Sequence, residues 1–250
     1  MFKTAIVRDI SSAYPTCISS HPEKHKLSLD KAREQHSRYV QTLSELGLEI
    51  IRVEQDPTLP DCCFIEDTAV IYDGKALITR MGAAPRRGET SRIQDILKNS
   101  LPCYRMSPPA TLDGGDVIDC GSYLISGISS RTNVDGIETM KKSFQTKVKV
   151  VQDPSMVHLK SYVTYLGDNT IVCNLRFAHH PVFAEFNQIH IPDTESYAAN
   201  MINVNGTILM STGFPKSEAL IRDTNFDVLT LDTSEFQKCE GALTCLSLRF

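Results

Sequence analysis

The chain has 250 residues, 41% of them apolar and 22% charged, which suits a sizeable core in one large domain, residues 1–250, or in two small ones. A net charge of -4 with no run of basic residues leaves no electrostatic footprint for nucleic acid or an anionic membrane. No stretch approaches twenty apolar residues, and the opening Met-Phe-Lys-Thr-Ala-Ile-Val-Arg reads as a strand and not as a targeting segment, so a cytoplasmic protein is expected.

Lys3 to Val7 is the first predicted strand. Ser12 to Ser28 carries prolines, histidines and lysines without periodicity and reads as a long surface loop, a length at which lids and plain solvated connections both occur. About Leu29 to Leu46, an amphipathic helix places Ala32, Tyr39, Val40, Leu43 and Leu46 on one face, with Gly47 as its stop. Turn signals then recur at Asp73-Gly74, Gly121-Ser122, Gly167-Asp168-Asn169 and Asn205-Gly206, each between β-rich apolar runs. Their spacing, roughly 40 to 50 residues, marks a repeat.

Helical patterns follow the first two hairpins, through Ile93, Ile96 and Leu97 and through Ile137, Met140 and Phe144. Further on, Pro215 to Arg222 reads as a short helix and Asp227 to Leu231 as a strand, while the region around His179 is ambiguous. The repeating unit is therefore hairpin, helix, strand. Pairing of the first strand with Leu246 to Phe250 would supply a fifth unit and close the array.

Eight cysteines (Cys17, Cys62, Cys63, Cys103, Cys120, Cys173, Cys239, Cys245) in so long a chain are expected to be reduced thiols. None has the Cys-x-x-Cys spacing of a structural zinc site.

Five features carry chemistry. Cys245 stands in Gly-Ala-Leu-Thr-Cys, after a glycine turn and at the start of the last strand. Asp61, Glu66 and Asp67 fall within seven residues, and carboxylates so placed are costly to bury unless a cation pairs with them. Asp113-Gly114-Gly115-Asp116 makes a tight turn, in which the two aspartates serve equally well as plain turn caps. His158 sits at a strand edge, where a structural hydrogen bond is the commoner role. Arg86 and Arg131 each open a helix after a hairpin; such guanidinium groups suit bidentate binding of a carboxylate, and equally surface solvation or capping. Taken together these residues describe a pocket that is acidic at one end and basic at the other, fitted to an arginine-like amino acid. A guanidinium is a poor electrophile, and a cysteine thiolate is the nucleophile strong enough to attack it.

Six separated stretches, occurring in one order, carry a resemblance that covers almost the whole chain. Leu59 to Val70, Ile78 to Glu89, Thr111 to Val117, Ser130 to Asn133, His158 to Lys160 and Leu243 to Cys245 resemble the dimethylarginine dimethylaminohydrolases of the guanidine-modifying, or pentein, superfamily. Ser19-Ser20-His21 and Glu195 to Asn200 are similar to further parts of that pattern. The resemblance implies an α/β fold, a closed five-bladed αβ propeller with the active site at its centre, in agreement with the repeat.

It also implies Cys245 as nucleophile, His158 as general acid and then base, and Asp67 and Asp113 on the guanidinium nitrogens. Arg86 and Arg131 would take the α-carboxylate, and Asp61 with the carbonyl of Ile18 the α-amine. Glu66 would lie beside that cluster. Cys239 would meet ligand through its backbone, its thiol having no required part. Where the family carries Asp or Glu, Asp113 is the shorter choice. The implied activity is hydrolysis of methylated arginines, asymmetric dimethylarginine and monomethylarginine, to citrulline, with no metal or organic cofactor. Adventitious zinc at the thiol would inhibit. A homodimer is carried as an expectation. Rival readings are an arginine deiminase releasing ammonia and a non-catalytic propeller used for binding.

Overall fold

A computed structural model describes residues 1–250. Its strands form five separate three-stranded sheets, each built from one antiparallel and one parallel pairing. In the first, β1 (Thr4–Arg8) runs parallel to β2 (Glu49–Val53) and antiparallel to the last strand, Leu248–Arg249. The expected pairing of the two ends of the chain is thus present, with Ile6 opposite Leu248.

The other four sheets are hairpins completed by a parallel strand, with middle strands Lys75–Ile78, Leu124–Ile128, Thr170–Asn174 and Thr207–Ser211. All four turn signals lie at the hairpin tips. Asp73-Gly74 and Asn205-Gly206 have positive φ at both residues, the geometry that matches the right-handed twist of the flanking strands.

Helices make most of the parallel crossovers: α1 (Leu29–Glu45), α2 (Thr90–Leu97), α3 (Val134–Phe144) and α4 (Pro215–Arg222). Ser28 caps α1 and Asn133 caps α3, each accepting a backbone N–H from the first turn. The fourth unit departs from the repeat. Between Asn174 and Asn187 its crossover holds only a 3₁₀ turn, Pro181–Phe183, which explains the lack of helical period around His179.

Strand alternation closes the ring. Ala5 and Val7 pack into one core cluster with Leu209 of the fifth sheet, while Ile6 between them packs into another with Ala76 and Ile78 of the second. The same switch recurs around the molecule. Val70 and Leu77 meet Val117 and Leu124; Ile118 and Ile125 meet Ile171 and Cys173; Val172 meets Ile208. Each sheet is therefore buried on both faces, with five cores between neighbouring blades, the architecture of a closed propeller. No helix is long and apolar enough to cross a membrane.

One expectation about the cysteines is corrected. Cys17 and Cys239 are joined in a disulfide across 222 residues, while Cys62, Cys63, Cys103, Cys120, Cys173 and Cys245 are free thiols. Ring closure lays the loop after β1 against the segment before the last strand, so two cysteines far apart in sequence come within 6.0 Å at their Cα atoms.

Candidate active site

The site is assembled from turns at one end of the blades. Cys245 lies within a 3₁₀ turn, Leu243–Leu246, and the strand begins only at Leu248, a small correction to its expected place at the strand's start. The turn is clamped by the Glu195–Asn200 run. Asn200 accepts the Thr244 N–H at 3.0 Å and donates to the Thr244 hydroxyl at 2.9 Å, and the Tyr197 hydroxyl donates to the Gly241 carbonyl at 2.7 Å. Gly241 permits the close approach of chain to ring, because a Cβ there would stand 2.2 Å from the Phe64 ring.

His158 sits just before another 3₁₀ turn, Leu159–Ser161, in extended backbone. Its Nε2 is 3.0 Å from Asp113 Oδ2 and 3.6 Å from Asp67 Oδ1. Each oxygen of the two carboxylates has a partner. Asp113 Oδ1 accepts the Gly82 N–H at 2.8 Å, and Asp67 accepts the Gly115 N–H at 2.9 Å and Arg86 Nη1 at 2.7 Å. Gly115 must be glycine, since a Cβ would press within 2.8 Å of the imidazole and 2.9 Å of Asp67.

Behind them Asp116, completely buried, accepts the Ser129 and Thr132 hydroxyls, both at 2.6 Å, and the Leu159 N–H at 2.9 Å. One carboxylate thereby joins the Gly-Gly turn, the Arg131 turn and the His158 segment. Sequence reading gave it no role beyond a cap.

The charges reshape the titration of the cluster. Burial alone would lower the His158 pKa, but the Asp67 charge and the Asp113 hydrogen bond outweigh it and raise it to about 9. Burial likewise opposes ionisation of Asp67, yet His158, Arg86 and the Gly115 N–H hold its pKa down at about 2. Burial, and then the Glu66 and Asp67 charges, push the Cys245 thiol up to about 12. These shifts favour a protonated imidazole and a neutral thiol at neutral pH.

A small cavity of about 40 Å³ is lined by Cys245, His158, Asp67, Asp61, Arg86 and Arg131, with Ile18 and Cys239 also in its wall. Asp61 accepts the Ile18 N–H at 3.1 and 3.2 Å to its two oxygens. Burial raises the Asp61 pKa against the opposing charges of Arg86 and Arg131.

Asp113 does not line this cavity, and two other residues singled out in the sequence are engaged by protein groups. Glu66 does not line this cavity; it pairs with Lys160 at 2.8 Å, leaving its other oxygen buried without a partner. Arg86 is not a free fork, since Glu89 takes Nε and Nη2 at 3.0 and 2.8 Å and the Phe64 carbonyl takes Nη2 at 2.9 Å. With Asp67 on Nη1, four of its five N–H groups are used and one remains on Nη1. The polarity of the pocket is thus interleaved. Asp67, Asp113 and His158 also bring one donor atom each within 4.8 Å of one another, close enough to share a divalent ion.

Comparison with known proteins places this geometry in a family. Residues 12–179 match the model of N,N dimethylarginine dimethylhydrolase, eukaryotic. The N(G),N(G)-dimethylarginine dimethylaminohydrolase of Pseudomonas aeruginosa is 36% identical, with all of both chains covered. That of Streptomyces coelicolor is 33% identical over 99% of this chain and 96% of its own. The solved Pseudomonas aeruginosa enzyme, a cysteine-to-serine mutant complexed with citrulline, superposes with a TM-score of 0.97 over all of both chains at 34% identity. The N-terminal domain of the cyanobacterial arginine dihydrolase ArgZ shares the fold at 20% identity, with a TM-score of 0.90 over all of this chain and 97% of that one. The chain belongs to the dimethylarginine dimethylaminohydrolase family.

Proposed function

We propose that the protein hydrolyses N-omega-methylated arginines to citrulline, releasing dimethylamine or methylamine through a covalent adduct on Cys245, with residues 1–250 acting as a single catalytic domain. The observation that carries this reading is the gathering of Cys245, His158, Asp67, Asp61 and Arg131 around one small cavity.

Protonation states set the order of steps. His158 already carries its proton at neutral pH, so it is poised to give a proton first, not to take one from the thiol. The thiol is held neutral by burial beside acidic charge, and a guanidinium bound there supplies the compensating positive charge that favours thiolate. The thiol gives its proton to solvent as the guanidinium binds, the thiolate attacks the guanidinium carbon, and the C–N bond to the methylated nitrogen breaks as His158 protonates the departing amine. The resulting thiouronium keeps its positive charge against Asp67 and Asp113. Neutral His158 then takes one proton from water as that water attacks the same carbon; the C–S bond breaks, the remaining hydroxyl proton passes to solvent, and citrulline and thiolate are released.

The far end of the ligand would be held by Asp61 and the Ile18 carbonyl on the amine, and by Arg131 and the one free Arg86 N–H on the carboxylate. Cys239 contributes backbone at the rim, and Glu66 acts through its charge beside the thiol. On composition and family resemblance the protein works in the cytoplasm as a homodimer. Cys245→Ser tests the role of the thiol. Turnover is expected to vanish while methylarginine binding stays measurable by calorimetry; turnover near the wild-type rate would refute the assignment.

A further inference from the structure

We propose that Cys17–Cys239 is a redox site that latches the mouth of the active site, closed as the disulfide and free to open once a dithiol reduces it. The proposal rests on the cavity being the substrate site, as argued above.

The loop at residues 12–28 hangs between β1 and α1 and is seated over the site by polar contacts to the segment that leads into Cys245. The Tyr14 hydroxyl donates to the Glu235 carbonyl at 3.3 Å, Ser19 Oγ to the Lys238 carbonyl at 2.9 Å and Ser20 Oγ to Glu240 at 2.8 Å. Glu235 also accepts the Ser28 N–H at 2.8 Å. Such bonds contribute about 0.5 to 1.5 kcal/mol each and break and reform freely. The disulfide is the one covalent tie, and it holds the middle of the loop to the chain six residues before the nucleophile.

Access to the site requires this loop to move. With the loop seated, the Ile18 N–H occupies both oxygens of Asp61, and the cavity of about 40 Å³ has room for about three waters, at roughly 10 to 15 Å³ each, far too little for an arginine-sized ligand. Ile18 is the residue next to Cys17, so a bond that pins Cys17 pins the residue that must lift. Cys17 and Cys239 are both buried in the seated state, so a dithiol reaches the bond through local opening of the surrounding loop, and the free thiols meet again when the loop is down. Around Cys17 the loop holds no helix longer than the 3₁₀ turns Tyr14–Thr16 and Lys24–Lys26.

The exchange is balanced as follows. One thiolate of a dithiol attacks either sulfur of the bond and displaces the other as a thiolate, giving a mixed disulfide. The second thiolate of the dithiol attacks its own sulfur in that mixed disulfide and leaves as a cyclic disulfide. The dithiol loses two electrons, the protein gains them, and its two thiols take up two protons. A low-molecular-weight disulfide such as glutathione disulfide reverses the change, yielding two glutathione thiols.

The test compares wild type and Cys17→Ser, each treated with dithiothreitol or with glutathione disulfide and then desalted, with the 17–239 cross-link followed by peptide mass spectrometry. Two rates are read, iodoacetamide labelling of Cys245 and citrulline formation from asymmetric dimethylarginine. In the oxidised wild type both are expected to fall at least about tenfold in kcat/KM or labelling rate, since the open fraction divides the apparent affinity. Cys17→Ser is expected to match reduced wild type under both treatments, with Cys17→Ala in reserve if serine disturbs the buried position. Equal rates in oxidised and reduced wild type, the same redox response in Cys17→Ser, or failure of the cross-link to form would each overturn the latch. Labelling that follows the latch with no citrulline from any chain would instead uphold the latch and remove the functional reading.

Discussion

Asp113 Oδ2 lies 3.0 Å from His158 Nε2, while the other oxygen of the same carboxylate is held at 2.8 Å by the backbone N–H of Gly82. The carboxylate is fully buried, so its orientation and that of the imidazole are one structural unit. Asp113→Asn keeps the shape and removes the charge. The variant is expected to lose about 10²- to 10⁴-fold in kcat, because His158 is less often protonated and less well aimed when the amine departs. Steady-state kinetics should place the loss in kcat more than in KM.

The raised His158 pKa has a stability consequence with a definite sign. The folded value of about 9 stands above the ordinary 6.5, so the stabilisation is complete below about 6.5 and is lost as pH rises through 9. Asp67 behaves oppositely. Its pKa is depressed from 3.8 to about 2, so its contribution is present above 3.8 and is lost as pH falls through 2. Urea unfolding of wild type and His158→Gln should show a stability gap on the order of a few kcal/mol near neutrality that closes by about pH 10.

Asp116 is expected to act at a distance from the substrate. Its three hydrogen bonds join the His158 and Arg131 segments, and burial raises its pKa to about 6. Asp116→Asn places an amide where three donors converge, leaving at least one of them poorly satisfied at a cost of about 1 to 3 kcal/mol. Thermal unfolding should show that loss, and kcat/KM should fall about tenfold or more through misplacement of His158.

Gly115→Ala gives a sharper geometric test. The added methyl would meet the imidazole and the Asp67 carboxylate at under 3 Å, so one of them must shift. A displacement of about 1 Å at a reacting group costs on the order of 10²-fold in rate. Activity should drop by about that factor, with circular dichroism close to wild type.

The repeat was legible in the sequence because its signals are local. Asp73-Gly74 and Asn205-Gly206 advertise positive φ, and α2 and α3 announce themselves through apolar spacing. The ring closure was legible as well, because an alternating strand at each end of the chain needs a partner. What escaped is non-local or aperiodic. The Cys17–Cys239 bond spans 222 residues and follows from closure of the ring, which no local pattern encodes. Cys245 and His158 stand in or beside 3₁₀ turns too short to carry a period, and so read as strand edges. The capture of Arg86 by Glu89 was hidden in an ordinary i, i+3 spacing, and the turning of Glu66 toward Lys160 depends on a residue 94 positions away.

The most direct test of the account is product analysis of the reduced, chelator-treated protein given asymmetric dimethylarginine, monomethylarginine and arginine in parallel. The account requires citrulline with stoichiometric dimethylamine or methylamine from the methylated substrates and little product from arginine. Citrulline and ammonia chiefly from arginine, or no citrulline from any of the three, would contradict it.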